Sequence, residues 1–364
     1  MNILHLSNNR LPDQRIERAS QTGKKVGHVI SFAGPLNEGC IFNHSFDKVF
    51  NLEFSKYSNV KIPSHWRILK KRYKKILADF QPDLIHAHNI VAAKLASEFQ
   101  VPFVYDDHEY WSKRCQVLSS LWKPNKLFVK WLWTGWEEDA LRGSLATITV
   151  SDKIAEEHRE KCEKVYVVPN FPSYSESERL ISSVKRLDRL STVYIGSDLS
   201  KSLTRKNPPY RNVEGYIDFF NQKYVGDLTV FGDINLISLN NVKSMGFLPH
   251  QQMMAELTKH HIGLLPWKKH WYHKYSNPNK PYEYAHAGLL VIAVSDFVNI
   301  KNNLREHCIL YDDLNDLEQI LSYYMDDLDL LYDLKDKIRK FALENLTWEK
   351  KCEPNLLRAY DHVI

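Results

Sequence analysis

The sequence predicts an α/β protein built from two doubly wound, Rossmann-like domains. Three observations predict it. The chain has 364 residues, and a single core rarely grows past about 250–300 residues. Short apolar runs alternate with helix-period segments along most of its length, the pattern of repeated βα units. Many of those runs show little polar alternation, as parallel strands covered on both faces require.

The first series of strands is expected at Asn2–Leu6, Val26–Phe32, Leu84–His86, Phe103–Asp106, Thr147–Val150 and Val165–Val168. The stretch "VVPNFPSYSESERL", Val167 to Leu180, breaks the rhythm with Pro, Ser and Asn and reads as the interdomain connection. The second series is expected at Val193–Ile195, Leu228–Phe231, Val242–Met245, Ile262–Leu265, Leu290–Val294 and Cys308–Tyr311. In open parallel sheets ligands bind beyond the carboxyl ends of the strands. Two such domains facing each other would enclose a cleft, so the residues just after strands are the ones to inspect.

Composition narrows the class. Apolar content is 43% and charged content 26%, ordinary for a soluble globular chain. Five cysteines without a C-x-x-C pair fit reduced thiols in a cytosolic protein. The opening "MNILHLSNN" has a short apolar run and reads as a strand, not a signal peptide. No apolar run approaches the ~18 residues that cross a bilayer. The net charge of +5 is mildly basic. Zinc-finger spacing, RNP-type motifs and basic-face repeats are missing, so no nucleic-acid partner is expected.

Four stretches carry candidate chemistry. In "PFVYDDHEYW", Pro102 to Trp111, an apolar strand ends in Asp106, Asp107, His108 and Glu109. Their place at a strand's carboxyl end favours a substrate-contacting His108; the bland reading is acids that complement a helix dipole. No metal is expected, since consecutive residues cannot all turn toward one ion. "SNNRLPDQR" follows the first strand and holds Asn8 and Arg15, without the G-x-G-x-x-G of a dinucleotide site. Arg15 either solvates a helix face or reaches the cleft. "KSLTRKNPPYR", Lys201 to Arg211, is a basic loop after a strand, where Arg205, Lys206 and Arg211 could clamp an oxyanion or stay solvated.

The fourth stretch is "NPNKPYEYAHAGLLVIAVS", Asn277 to Ser295. Pro281 suits the first turn of a helix and Asn279 its cap. The free N–H groups and dipole there favour phosphate, and Lys280 adds charge. Glu283, one turn in, can accept two hydroxyl hydrogen bonds such as a ribose offers, or can merely complement the dipole. Gly288 would close the helix in a left-handed conformation before a buried strand.

In their order and spacing, these stretches resemble the GT-B glycosyltransferases, in particular retaining glycosyltransferase family 4. The resemblance is carried by "DLIHAHN", "VPFVYDDHEYW", "ATITVSDKIAEEH", "VYVVPNFP", "YIGSDL", "LTVFGD", "VKSMGFLPHQQMMAEL", "IGLLPW", the 277–295 stretch and "ENLTWEKKCEPNLLRAY". It implies an acceptor-side domain over 1–168, a nucleotide-sugar-binding domain over 169–346, and a closing helix, 347–364, that crosses back to the first domain. Glu283 would hold the ribose. Ser276, Asn277, Asn279 and Lys280 would cradle the diphosphate with Tyr275 and Tyr282 near the donor. Gly246, Phe247 and Pro249 would lie against the base, and His108 beside the donor sugar. Arg205 and Arg211, with Lys206 as rival, would neutralise the leaving diphosphate, while Asn8, Arg15 and Glu109 line the first domain's side.

Two departures stand out: Tyr275 replaces a second Glu found in many members, and the N-terminal Gly-Gly loop is missing. The implied reaction moves a sugar from a UDP- or GDP-linked donor to a glycan or lipid-linked hydroxyl, with retention, without metal or other cofactor. The alternatives are an idle nucleotide-sugar-binding subunit and a GT-B sugar-nucleotide epimerase. Two segments suggest an anionic membrane surface as partner and a cytoplasmic, peripheral location. Residues 66–80, "WRILKKRYKKILADF", join an apolar stripe to six basic residues, and 121–136, "LWKPNKLFVKWLWTGW", join Trp to Lys. Both stripes could instead pack on the domain core.

Overall fold

The structure, a computed structural model, describes residues 1–37, 45–54, 63–117, 123–178, 180, 187–196, 211, 213, 215–232 and 236–363. It divides into two compact units. The first takes residues 1–116, 123–169 and 351–364; the second takes 117–122 and 170–350.

The first unit runs β1 (Asn2–Ser7), α1 (Gln14–Lys25), β2 (Val29–Gly34), β3 (Lys48–Asn51), α2 (Pro63–Phe80), β4 (Leu84–His88), α3 (Asn89–Ser97), β5 (Phe103–Asp107), α4 (Trp111–Val117), α5 (Lys123–Gly143), β6 (Ala146–Thr149), α6 (Asp152–His158) and β7 (Val165–Val167). Its seven strands are ordered β3-β2-β1-β4-β5-β6-β7, and all pair in parallel. The order reverses between β1 and β4, the switch point where such sheets bind ligands. Strands β1, β4, β5 and β6 are almost wholly buried, which explains their unbroken apolar character.

The second unit runs α7 (Tyr174–Ser177), β8 (Ser191–Ile195), α8 (Tyr216–Gln222), β9 (Asp227–Phe231), β10 (Val242–Gly246), α9 (His250–Leu257), β11 (Ile262–Leu265), α10 (Lys280–His286), β12 (Leu290–Val294), α11 (Val298–Leu304), β13 (Cys308–Tyr311), α12 (Leu314–Asp326) and α13 (Leu328–Asn345). Six parallel strands are ordered β10-β9-β8-β11-β12-β13, with the reversal between β8 and β11. A last helix, α14 (Glu353–Tyr360), belongs to the first unit. The expected fold class is thus found: two doubly wound parallel sheets.

All twelve expected strands exist, and the differences have local causes. The strand expected from Val26 starts at Val29, because α1 runs to Lys25 and Gly27 takes φ +83° to turn the chain. Strand β3, Lys48–Asn51, was not expected. It is a four-residue edge strand, exposed at both ends, and carries little apolar signal. The connection expected at Val167–Leu180 is not uniformly irregular. Ser173 and Glu176 form a reciprocal capping box that starts α7.

The apolar stripe of α2 is spent on the core. Leu69 and Tyr73 are fully buried, Ile76 nearly so, and Trp66, Leu77 and Phe80 pack against the same cluster. Among the described residues, no helix is long and apolar enough to cross a membrane, and Cys115, Cys162, Cys308 and Cys352 are free thiols.

Candidate active site

At the switch point of the first unit, the strand register gathers a polar cluster. His5 sits opposite His86, Ser7 opposite His88, and His88 opposite Asp106. Partners in a parallel pair share a face, so β1, β4 and β5 present His5, His86, His88 and Asp106 together. The spacing His86-x-His88 was the readable signal: a period of two places both rings on one side of a strand.

Asp106 is the hub. Arg15, at the start of α1, donates from Nε to Asp106 Oδ2 at 3.0 Å, from Nη2 to Oδ1 at 2.7 Å, and from Nη1 to the Val168 carbonyl at 2.7 Å. His86, His88 and His108 each place a ring nitrogen 3.3 Å from Asp106 Oδ2. His86 Nδ1 lies 2.7 Å from the Tyr360 hydroxyl, His88 Nδ1 3.1 Å from His108 Nε2, and His88 Nε2 2.9 Å from His5 Nδ1. Burial would raise the Asp106 carboxyl, but Arg15, His108 and His86 outweigh it and hold it well below the usual range. Burial, reinforced by neighbouring rings, lowers His5 and His88; burial also lowers His86. The cluster therefore carries one anion and one fixed cation among the neutral imidazoles of His5, His86 and His88.

Arg15 does not solvate a helix face; it turns inward to Asp106. Arg18, three residues further along α1, is buried too. His108 is the half-buried member, with Nε2 engaged by Asp106 and His88. Asn8 Oδ1 is buried without a hydrogen-bond partner. Glu109 is drawn into an ion pair with Arg114, whose guanidinium lies 5.0 Å from the Trp111 ring centre.

In the second unit, the donor-side candidates cluster around α10 at the carboxyl ends of β8 and β11. Lys280 Nζ lies 5.2 Å from the Trp267 ring centre and 5.4 Å from that of Tyr194, and the Arg211 guanidinium lies 5.3 Å from Trp267. Two cations thus converge on one indole. Glu283 is buried, and its Oε1 lies 3.2 Å from His250 Nε2. Asn277 is buried; its carbonyl accepts from Asn170 Nδ2 at 2.8 Å and its side-chain oxygen from the Tyr282 hydroxyl. That hydroxyl also accepts from Asn303 Nδ2 at 2.9 Å, so fully buried Tyr282 braces the 277–280 turn. Ser276 Oγ donates to the Tyr272 carbonyl at 3.5 Å. Tyr275 is buried, with Lys274 Nζ 5.0 Å from its ring centre.

Asn279 precedes α10 but does not cap it: its backbone is already helical and its side chain makes no cap bond. Pro281 occupies the first turn, and Gly288 takes φ +82° just past the helix, where a Cβ would come 2.9 Å from the Lys335 carbonyl oxygen. At the end of β10, Gly246 takes φ +61°; Phe247 is 78% exposed, and Pro249 precedes the first turn of α9. Arg205 and Lys206 lie outside the described residues. A cavity of about 500 Å³ lined by Arg189, Asp227, Lys243 and His260 opens at the opposite, amino-terminal edge of this sheet.

Three groups of described side chains offer ligand atoms within 4.8 Å of one another: His5, His86 and His88; His88, Asp106 and His108; and Asp107, Glu137 and His158. Sequence reasoning missed the first and third because their members are scattered over separate elements.

Two parallel α/β sheets with carboxyl-edge clusters define a GT-B-fold protein. Residues 24–172 match the family described as Glycosyltransferase Family 4, the family that the resemblance named. The chain shares its fold over nearly its whole length with sucrose-phosphate synthase from Thermosynechococcus elongatus: TM-score 0.69, 14% identity, covering 99% of this chain and 98% of that one. It is similarly close to the HepE protein of Anabaena, solved in complex with UDP-glucose, with TM-score 0.68, 13% identity and 99% of each chain covered. WaaG, a glycosyltransferase involved in lipopolysaccharide biosynthesis, gives TM-score 0.63 at 13% identity, again over 99% of each chain. Among curated proteins, none matches this sequence.

Proposed function

We propose that this protein is a retaining glycosyltransferase that moves a sugar from a nucleotide-diphosphate sugar to a hydroxyl acceptor. The observation that supports this most is that buried Glu283 lies one turn along α10 from Lys280, which shares the Trp267 ring with Arg211. The carboxylate suits a ribose diol and the cations suit a diphosphate. The match to Glycosyltransferase Family 4 and the UDP-glucose held by the HepE neighbour point the same way.

In this reading the acceptor hydroxyl attacks the anomeric carbon on the face the diphosphate leaves. The carbon–phosphate oxygen bond breaks as the glycosidic bond forms, and the departing oxygen takes the acceptor proton. Lys280 and Arg211 stabilise the charge that develops on the diphosphate, the work a divalent metal does in other transferases. Positioning supplies much of the rest. In the first unit His108, held through Nε2 by His88 and Asp106, is read as the contact to a sugar hydroxyl. The His-rich cluster around Asp106 also favours a second reading, a sugar-nucleotide epimerase of the same fold, since it supplies acid/base groups that the sequence did not reveal.

The acceptor is read as a glycan or lipid-linked intermediate at an anionic membrane, with the protein cytoplasmic and peripheral. Exposed Leu127, Phe128 and Trp131 on α5, beside exposed Lys130, support this. So do the exposed Arg67, Lys71, Arg72, Lys74 and Lys75 of α2, joined to α5 by stacking of Trp66 on Trp136 at 5.8 Å.

The test is a thermal-shift panel of UDP-, GDP- and ADP-sugars on the wild type and on Glu283→Ala. Wild type is expected to be stabilised by one nucleotide series, by roughly 2.7 kcal/mol at a hundredfold excess over Kd, and the variant to lose most of the shift. Equal stabilisation of both would remove Glu283 from the site. Product analysis with the active donor, without added divalent cation, then decides the chemistry. A glycoside of unchanged anomeric configuration supports the transferase, an epimerised donor supports the second reading, and an inverted product sinks the mechanism.

A further inference from the structure

Asp106 and Asp107 are consecutive on β5 and so face opposite sides of the sheet. Asp106 belongs to the cluster described above. Asp107 points to the other face, where a separate and fully interior group forms. His158, at the end of α6, places Nε2 2.9 Å from Asp107 Oδ2, and Glu137 of α5 completes the set. All three residues are at least nine-tenths buried.

We propose that Asp107, Glu137 and His158 bind one divalent transition-metal cation, of the Zn2+ or Mn2+ type, in the interior of the first unit.

Charge is the first argument. Two carboxylates are sunk in the core beside a single imidazole. Among the described residues, no lysine or arginine pairs with either acid. Buried ions without a counter-charge are costly, and must be neutralised by a proton or a cation. The two histidine-rich groups on the opposite face differ, because Arg15 already supplies a fixed positive charge to Asp106 there.

Donor chemistry is the second argument. One imidazole nitrogen and two carboxylate oxygens within 4.8 Å can close on an ion held at about 2.0–2.2 Å from each, and such mixed sets suit Zn2+ and Mn2+. The non-ligating sides of the acids are already fixed. The Tyr105 hydroxyl donates to Asp107 Oδ1 at 3.0 Å, and the Ser112 amide to Glu137 Oε1 at 3.3 Å. That is the outer support a metal ligand needs. The Tyr110 ring meets His158 edge-on at 5.0 Å.

The third argument is independent of the three ligands. Thr149 of β6 is the register partner of Asp107, so its side chain lies beside Asp107 on the same face. Its Oγ1 is wholly buried and has no hydrogen-bond partner. A fourth oxygen thus lies on the residue next to Asp107 across the strand pair, without a partner. An ion here would tie β5, β6, α5 and α6 together and is separate from the donor-side residues of the second unit. The inference therefore does not depend on the proposed reaction.

The experiment uses the full chain without a histidine tag. Metal content is measured by elemental analysis after purification. The protein is then stripped with chelator and retitrated with Zn2+, Mn2+ or Mg2+ alone, followed by melting temperature. Wild type is expected to carry about one transition-metal ion per chain and to regain its melting temperature with Zn2+ or Mn2+. Glu137→Gln, which keeps the shape and removes the charge, is expected to lose the bound ion and the shift. His88→Ala, on the opposite face, is expected to keep both. If Glu137→Gln does not fold, Thr149→Val gives a second reading, with weakened retention of the ion. Wild type that holds no stoichiometric metal and shows no metal-dependent shift overturns the proposal in favour of two buried protons. Loss of binding in His88→Ala with retention in Glu137→Gln overturns it in favour of the other face.

Discussion

Asp106 and Asp107 differ by one position and live in opposite electrostatic worlds. Asp106 is held ionised by Arg15, whereas Asp107 is pushed toward protonation. The pleat of β5 alone makes that difference. At the same scale, Glu283 has a partner that sequence motifs do not name. His250, the first residue of α9, sits 3.2 Å from its Oε1 and fixes which way the carboxylate faces. Loss of one such hydrogen bond costs about 1–1.5 kcal/mol. His250→Ala is therefore expected to raise the donor KM by roughly five- to tenfold with little change in kcat, and His250→Gln to recover part of it. Steady-state kinetics over donor concentration checks this. A fall in kcat at unchanged KM would mean His250 acts on the reacting centre instead.

At the scale of elements, α2 shows how an amphipathic pattern divides its work. Its apolar stripe packs inward, and the buried Tyr73 brings a hydroxyl that finds no partner. A buried unmade hydrogen bond costs about 1–3 kcal/mol, so Tyr73→Phe is expected to hold or raise stability by about 1 kcal/mol. Urea denaturation would show a marked loss if that hydroxyl were in fact satisfied. The stripe's burial also limits what α2 can offer a membrane: charge, with exposed Ile68 beside it. The larger apolar contribution would come from Leu127, Phe128 and Trp131 of α5. Co-sedimentation with anionic vesicles at low salt is expected for wild type and to fall several-fold in Leu127→Ser/Trp131→Ser. Binding unchanged by that double substitution would leave the α5 patch without this role.

Most of these elements were legible in the sequence because parallel strands are apolar throughout and their helices are periodic. Strand β3 was not, since a four-residue edge strand with exposed ends buries too little to leave a pattern. The motifs around Glu283 and His108 could be read because they are contiguous. The His5–His86–His88–Asp106 cluster and the Asp107–Glu137–His158 group could not be assembled, because only the register joins β1, β4, β5 and α5.

At the scale of the whole molecule, buried neutral histidines set a response to acid. In the second unit, burial chiefly lowers His260 to about 3, His261 to about 4 and His273 to about 4, from an ordinary 6.5. The unfolded chain takes up these protons first as pH falls. The stability they contribute is complete above about 6.5 and is lost between 6.5 and about 4, on the order of 3 kcal/mol per group by the acid end. The urea midpoint is expected to drop steeply from pH 7 to pH 5. A flat profile over that range would mean these rings are solvated enough to titrate normally.

The first unit is not continuous in the chain: α14 returns to it after the whole of 170–350. Tyr360 of that helix supplies the hydroxyl beside His86, and Glu353 takes bonds from Thr22 and Lys25 of α1. During synthesis, at about 5–20 residues per second, the seven-stranded sheet must wait on the order of ten seconds or more for its last helix. The second unit is complete by then. The nascent chain therefore closes its earlier half last, and the surface that receives Leu356, Ala359 and Tyr360 of α14 stays open to a chaperone or a protease in that interval.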